Sequence, residues 1–362
     1  MLNKTCLSGV GFLIPTLSST IAFAINFPKI KYNPPHIRKL YKIMKILKFE
    51  PIYMERVWGG NMLSDFFHRN INSKSDKIGE SWEIVDRPNE QSVSSEGAYK
   101  GQSIRNIILK DSKSILGPNW NPRKRFPILV KWLDCKERLS LQVHPPAHIA
   151  KDLNGEPKTE NWYVAKSTEN AGLFIGLKKN ISKTMFQQSI KQGTTELLCH
   201  RVKSQRGDSV LVESGRIHAI DKGNLILEIQ QNSNTTFRVY DWDRTGLDNN
   251  KRELHIEESL KCIDFNDFEP KPLITNSSDG KTLLADCKHF RIFKFNSSEG
   301  ENIKLKPEQV DCMIIHLISG KIKIGQNILL EGEQVISPFA SECIISAVES
   351  STFLVTDQFT NQ

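Results

Sequence analysis

Two short stretches of the chain concentrate side chains that bind divalent metals. One reads Leu139-Ser140-Leu141-Gln142-Val143-His144, followed a little later by Lys158-Thr159-Glu160. Successive side chains of a strand point to opposite faces, so Ser140, Gln142 and His144 share one face. The other stretch runs from Gly207 through Glu213, Gly215 and Arg216 to His218. Imidazole nitrogens, a carboxylate and an amide oxygen are ligands for first-row divalent metals. A histidine without such neighbours carries no comparable meaning. His36, His68, His148, His200, His255, His289 and His316 are left unassigned on that ground.

The second stretch resembles the second cupin motif, G-x5-P-x-G-x2-H, with Gly207, Gly215 and His218 in place and Glu213 where the motif has proline. The first cupin motif supplies two ligands from one strand and a glutamate from the next, roles that Gln142, His144 and Glu160 fit. Such a mixed nitrogen and oxygen set suits one Zn²⁺ with a position open to substrate, with Mn²⁺, Fe²⁺ and Co²⁺ as chemical alternatives.

Longer motifs add to this. The chain carries Tyr53-Met54-Glu55-Arg56-Val57-Trp58-Gly59-Gly60, Gly79-Glu80-Ser81-Trp82-Glu83, His218-Ala219-Ile220, and a run from Glu228 through Thr235-Thr236-Phe237-Arg238 to Asp241-Trp242. In this order, from about Met44 to the C-terminus, they resemble the short bacterial type I mannose-6-phosphate isomerases. The resemblance implies a mainly β fold of two cupin-type jelly-roll barrels with small helical insertions, and one bound metal, usually zinc. It implies interconversion of mannose 6-phosphate and fructose 6-phosphate. Carried over residue by residue, the ligands are Gln142, His144, Glu160 and His218. Arg238 matches an active-site arginine, Lys158 a residue of substrate binding or proton transfer, and Ser140 and Glu80 pocket positions.

The residue types suit that chemistry. Aldose–ketose isomerisation moves a proton between C2 and C1 through a cis-enediol(ate), whose charge a metal and a fixed guanidinium stabilise. Lys158 and Asp241 are the candidates for the general base. Lys158, Arg216 and Arg238 are the candidate cations for a hexose 6-phosphate, with Ser140 as a hydroxyl donor. Arg216 reads equally well as a solvated loop residue. Trp162 and Tyr163 read as core. The rival functions are an Fe²⁺ cupin oxygenase and a non-catalytic sugar-phosphate-binding cupin.

The elements that must position these groups are mostly strands. Apolar or alternating runs mark strands at 126–133, 139–143, 162–164, 209–212 and 225–230, then at 289–295, 313–318, 321–324, 327–330, 334–336, 343–347 and 352–356. Helical patterning is confined to 101–116, 182–192 and 254–262. The expected organisation is an extension at 1–43, a catalytic metal-binding domain at 44–270 with helical insertions, a linker at 271–280 and a degenerate cupin-like β domain at 281–362. In the last, Gly332 and Pro338 keep the cupin spacing, but Ala340 and Cys343 stand where glycine and histidine are needed. That barrel is therefore expected to lack a metal, with Cys343 a buried thiol.

Composition narrows the function class. The 362 residues carry 49 Lys and Arg against 41 Asp and Glu, a net charge of +8. Six of those cations and none of the acids fall in residues 1–43, so the body is nearly neutral. The basic balance is thus no argument for nucleic acid, and the body shows no membrane pattern. The uncharged stretch between Lys4 and Lys29 leaves a targeting signal and a membrane anchor as alternatives to a dispensable extension. Seven scattered cysteines without C-x-x-C spacing read as reduced thiols in a cytoplasmic protein.

Overall fold

The computed structural model describes residues 45–71, 75–271, 277–278, 280–305 and 311–359. The 1–43 extension and Cys6 lie outside the described residues, as does most of the expected linker. The described chain is mainly β, with four antiparallel sheets in two face-to-face pairs.

The first pair carries the site. Its six-stranded sheet has the order Ile52–Gly60, Ile78–Ile84, Ile128–Cys135, Asn224–Gln231, Glu160–Ser167, Ser209–Val212. Its five-stranded sheet has the order Phe237–Tyr240, Leu141–Val143, His218–Ile220, Gly172–Leu177, Cys199–Lys203. Every residue of Ile128–Cys135 is buried. The six-stranded sheet is covered on both faces, which is why its central strands lack a polar side. Leu133, Trp162, Val164 and Ile226 pack towards the five-stranded sheet with Leu173, Ile175 and Ile220. Val130, Trp132, Tyr163, Leu227 and Ile229 pack on the opposite side with Ile107, Ile108, Ile314, Ile336 and Leu354.

The second pair comprises a seven-stranded sheet and a four-stranded one, the latter Asn302–Leu305, Cys343–Ala347, Ile322–Ile324, Asn327–Leu329. The start of the body contributes to it: Leu47 and Lys48 pair with Ile336 and Val335. At the other edge Ser277 and Ser278 pair with Thr282 and Lys281, so the end of the expected linker is built into the sheet. Gly332 explains itself here rather than through a metal. It sits at φ +80, and a Cβ would meet the Phe67 ring at 2.6 Å. Its carbonyl accepts from Trp132 Nε1 at 2.9 Å and Arg69 Nη2 at 2.5 Å, tying the two sandwiches together. Cys343 is buried in the second sandwich's apolar cluster, and His316 Nε2 is hydrogen bonded to Thr356 Oγ1 at 2.9 Å. All six described cysteines are free thiols. No described helix is long and apolar enough to cross a membrane.

Three helices lie where the periodicity put them, while Met62–Phe67 and Ala147–Ala150 are short helices it did not reveal. Ile104–Leu116 starts at Ser103, whose side chain accepts from Asn106 N, and buries Ile104, Ile107, Ile108 and Ile115. It kinks at Asp111, which accepts a hydrogen bond from the Tyr99 hydroxyl. Ser182 caps Lys183–Gln192 in the same way. Ile256–Cys262 is the third. Alternation did not reveal the strands Ile52–Gly60, Ile78–Ile84, Gly172–Leu177, Cys199–Lys203, Phe237–Tyr240 and Lys281–Asp286. The first two carry Glu55, Arg56, Glu80 and Glu83, and charges in a buried strand disguise it as a loop.

Candidate metal centre and its cavity

Strand register builds the site. Arg238 lies opposite Gln142, and Gln142 lies opposite His218, on three neighbouring strands. Directly paired residues point to the same face and stand about 5 Å apart. Two residues along from Gln142 on that face are Ser140 and His144. Glu160 comes from the facing sheet, where it pairs with Gln230 and Val212. Gly215, at φ +94, donates its N–H to the His144 carbonyl at 2.9 Å and thereby joins the two ligand stretches.

His144, Glu160 and His218 offer ligand atoms within 4.8 Å of one another, the one such group among the described residues. All three are buried. His144 Nδ1 donates to the Thr235 carbonyl at 2.9 Å and His218 Nδ1 to the Arg216 carbonyl at 2.8 Å. A carbonyl only accepts, so both rings present the lone pair of Nε2 inward. These atoms lie 3.3 and 3.5 Å from the Glu160 oxygens. His144 Nε2 and both Glu160 oxygens are buried without a well-directed hydrogen bond, although Lys158 Nζ stands 2.7 Å from Glu160 Oε2. Buried polar atoms left in this state are what a bound cation satisfies.

The charge states fit as well. Burial, with Lys158 beside it, pushes His144 down to about 4. Burial also lowers His218. Neutral imidazole is the form that binds metal. Burial alone would raise Glu160, but Lys158 and His144 hold it well below the usual carboxylate range. Gln142 reaches the same point with its amide nitrogen foremost, 3.2 Å from His218 Nε2, while its Oε1 accepts from Ser140 Oγ at 3.3 Å. A half-turn of the amide brings the oxygen to the ligand position.

A cavity of about 520 Å³ opens beside these groups, lined by Gln142, Ser140, Lys158, Arg238 and Glu80 among others. Glu80 is bound by Arg56 at 2.9 Å and Trp82 Nε1 at 2.7 Å. Burial would raise its pKa, but Lys131 and Arg56 bring it down to about 2. Lys158 is 4% exposed. Burial favours its neutral form, yet Glu160 and Glu228 outweigh burial and hold it above its ordinary value. The lowered pKa expected of a lysine base is therefore not a property of these side chains alone.

Two sequence candidates lie elsewhere. Arg216 is outside the cavity lining, with its guanidinium held by Asp267 at 2.8 and 2.9 Å and by the Leu211 carbonyl at 2.6 Å. Its service to the site is the backbone carbonyl that orients His218. Asp241 is also outside the lining, and its carboxylate is taken by Arg244 at 2.7 Å and Arg252 at 3.2 Å. Both of its oxygens are thus engaged by ion pairs behind the cavity wall. Conversely, sequence reasoning passed over Lys131, Glu228 and Arg252, which all line the cavity. Lys131 and Glu228 pair directly across two strands, 3.1 Å apart, with Trp162 Nε1 donating to Glu228 at 3.3 Å. Their signal was a charge inside an otherwise apolar run. Trp162 and Tyr163 are core, as expected.

Comparison with known proteins agrees with this arrangement. The sequence model of the phosphomannose isomerase type I catalytic domain matches residues 46–188. Mannose-6-phosphate isomerase ManA of Bacillus subtilis is 34% identical over 319 residues, covering 83% of this chain and 98% of the relative. A mannose-6-phosphate isomerase of Streptococcus mutans is 33% identical over 301 residues, covering 80% and 92%. The crystal structure of the Bacillus subtilis mannose 6-phosphate isomerase superposes with a TM-score of 0.77 at 30% identity, covering 87% of this chain and all of that one. Similarity of that extent, over nearly the whole of each relative, places the chain in the type I mannose-6-phosphate isomerase family.

Proposed function

We propose that the chain interconverts mannose 6-phosphate and fructose 6-phosphate in the cavity beside His144, Glu160 and His218. The observation that carries this reading is the cluster of two inward-facing neutral imidazoles and a carboxylate that touches Lys158 and Gln142, which line one cavity together with Arg238. Gln142, His144, Glu160 and His218 are the residues that would hold a divalent metal, and the donor set favours Zn²⁺. Such a metal supplies Lewis acidity to negative charge developing on the sugar oxygens.

The remaining work falls to the protein's own groups. Arg238, whose Nη1 is anchored on the Glu253 carbonyl at 2.6 Å, is a fixed cation for the O1 and O2 charge of the enediolate. Its Nε is buried without a hydrogen-bond partner and remains available to substrate. Lys158 is the group assigned to proton movement, Asp241 being committed to its arginines. Ser140 offers a hydroxyl beside Gln142. Glu80, fixed by Arg56 and Trp82, is an acceptor for sugar hydroxyls. Residues 44–270 are assigned the catalysis. Residues 281–362 support the outer face of the six-stranded sheet through Ile314, Ile336 and Leu354.

The test is a coupled assay of the full-length protein on mannose 6-phosphate and on fructose 6-phosphate, before and after chelation. Turnover that chelation removes and zinc restores supports both the activity and the metal. Turnover restored only by another metal rejects zinc and retains the isomerase. No turnover by metal-loaded protein on either hexose 6-phosphate rejects the reading.

A further inference from the structure

The reaction centre accounts for one end of a hexose 6-phosphate and leaves the other to be placed. The loop after Tyr240 bears on it. Trp242 and Asp243 both adopt left-handed backbone, φ 59 and φ 53, a conformation that costs energy outside glycine. The turn is held by packing: Trp242 Nε1 donates to the Leu139 carbonyl at 2.7 Å, and the Arg138 guanidinium lies 4.5 Å over its ring. From this turn the chain makes a small bridge between Thr245 and Lys251 and returns with Leu247 and Arg252 on the cavity wall.

Arg252 is 23% exposed, and Asp241 accepts from its Nη1 at 3.2 Å through each oxygen. Among the described residues its Nε and Nη2 donate to no protein group. Asp241 is shared with Arg244, and Arg238 stands near enough for its charge to act on both Asp241 and Arg252. Two guanidiniums thus share one buried carboxylate, and a third, Arg238, lies within range of its charge. Two acids close in sequence stand near them without bonding to Arg252. Asp248 turns its carboxylate onto Asn250, at 3.1 Å from both N and Nδ2, and Glu253 is 82% exposed. The wall thus presents the Nε and Nη2 donors of Arg252 in fork geometry with no protein acceptor, the match for a phosphomonoester dianion.

We propose that Arg252 is the residue by which this cavity selects phosphorylated over neutral hexoses, and that Asp241 is the positioning residue that holds it on the wall. The proposal rests on the isomerase reading for its substrate, but inorganic phosphate probes the same site without turnover. In the full-length protein, Arg252→Ala should weaken competitive inhibition by inorganic phosphate, and its calorimetric affinity, by about 10- to 150-fold, the range for losing one charge-assisted contact. KM for mannose 6-phosphate should rise by a similar factor with a smaller change in kcat, and bound metal should be unchanged. Arg252→Lys should recover part of the affinity, which a folding defect would not allow. Asp241→Asn should show a milder form of the same KM effect, and the Asp241→Asn/Arg252→Ala double variant should bind phosphate no more weakly than Arg252→Ala. Unchanged phosphate affinity in Arg252→Ala would overturn the proposal, as would a double variant much weaker than Arg252→Ala for Asp241's part. A wild-type protein that binds phosphate through Arg252 but turns over neither hexose 6-phosphate would sink the isomerase reading and leave the anion site standing.

Discussion

Replacing Glu228 by glutamine isolates the buried pair that forms the floor of the cavity. Lys131 and Glu228 are 6% and 5% exposed, sit opposite each other on central strands and lie 3.1 Å apart. The Lys131 ammonium also lies 5.1 Å over the Trp82 ring. Glutamine keeps the shape and an acceptor for Trp162 Nε1, so the change removes charge and little else. Breaking a buried pair by neutralising one partner costs about 3–5 kcal/mol. Here the pair borders a water-accessible cavity, which relaxes the desolvation of the orphaned lysine, so the low end applies, about 3 kcal/mol. In a protein of this size that corresponds to a fall in Tm of roughly 4 °C. Lys131→Met should cost a comparable amount. The double variant Lys131→Met/Glu228→Gln should be less destabilised than the sum of the two by about 1–3 kcal/mol, because neither leaves the other's charge stranded. The assay is denaturant unfolding of all four proteins under one buffer and metal condition. Additive single effects, or single effects within about 0.5 kcal/mol of wild type, would refute the reasoning.

Other consequences can be checked alongside. His218→Ala should lose bound metal and turnover together, read as metal stoichiometry against rate; turnover retained with metal absent would remove His218 from the site. Arg238→Ala should keep its metal while kcat falls by roughly 100-fold or more, the loss expected of one preorganised charge donor; full activity would sink its role. Burial pushes the Asp134 carboxyl up to about 6 from 3.8, where it accepts from Met62 N at 2.6 Å. A raised carboxyl pKa favours the protonated folded form. Asp134 therefore supports stability most fully below about pH 4 and loses that support as pH rises through 6, by about 3 kcal/mol in total. Asp134→Asn should flatten that pH window in melting experiments; an unchanged slope would mean that Asp134 is not its source.

Legibility in the sequence followed how local each signal was. Longer helices were readable because their apolar residues recur within a few positions, as Ile104, Ile107, Ile108 and Ile115 do. Most strands with apolar interiors were readable for the same reason, Gly172–Leu177 being an exception. Ile78–Ile84 and Ile52–Gly60 were not, since their charges are tolerated only by partners far away in sequence. Glu80 needs Arg56 and Lys131, and Arg69 must find Glu83 at 2.6 Å.

The four residues proposed to hold the metal show where the boundary falls. Alternation along one strand already places Ser140, Gln142 and His144 on a common face, and the spacing from Gly207 to His218 already describes a turn followed by an inward histidine. That much is determined by bond geometry within a few residues. Which arginines face the cavity was decided only by tertiary structure, because a guanidinium goes where its carboxylate is. Asp267 draws Arg216 away from the cavity, and Asp241 holds Arg252 onto its wall. Those acids are 51 and 11 residues distant in the chain. No local pattern encodes such a choice, since it follows from the electrostatic pairing of side chains that only the packed sheets bring within reach.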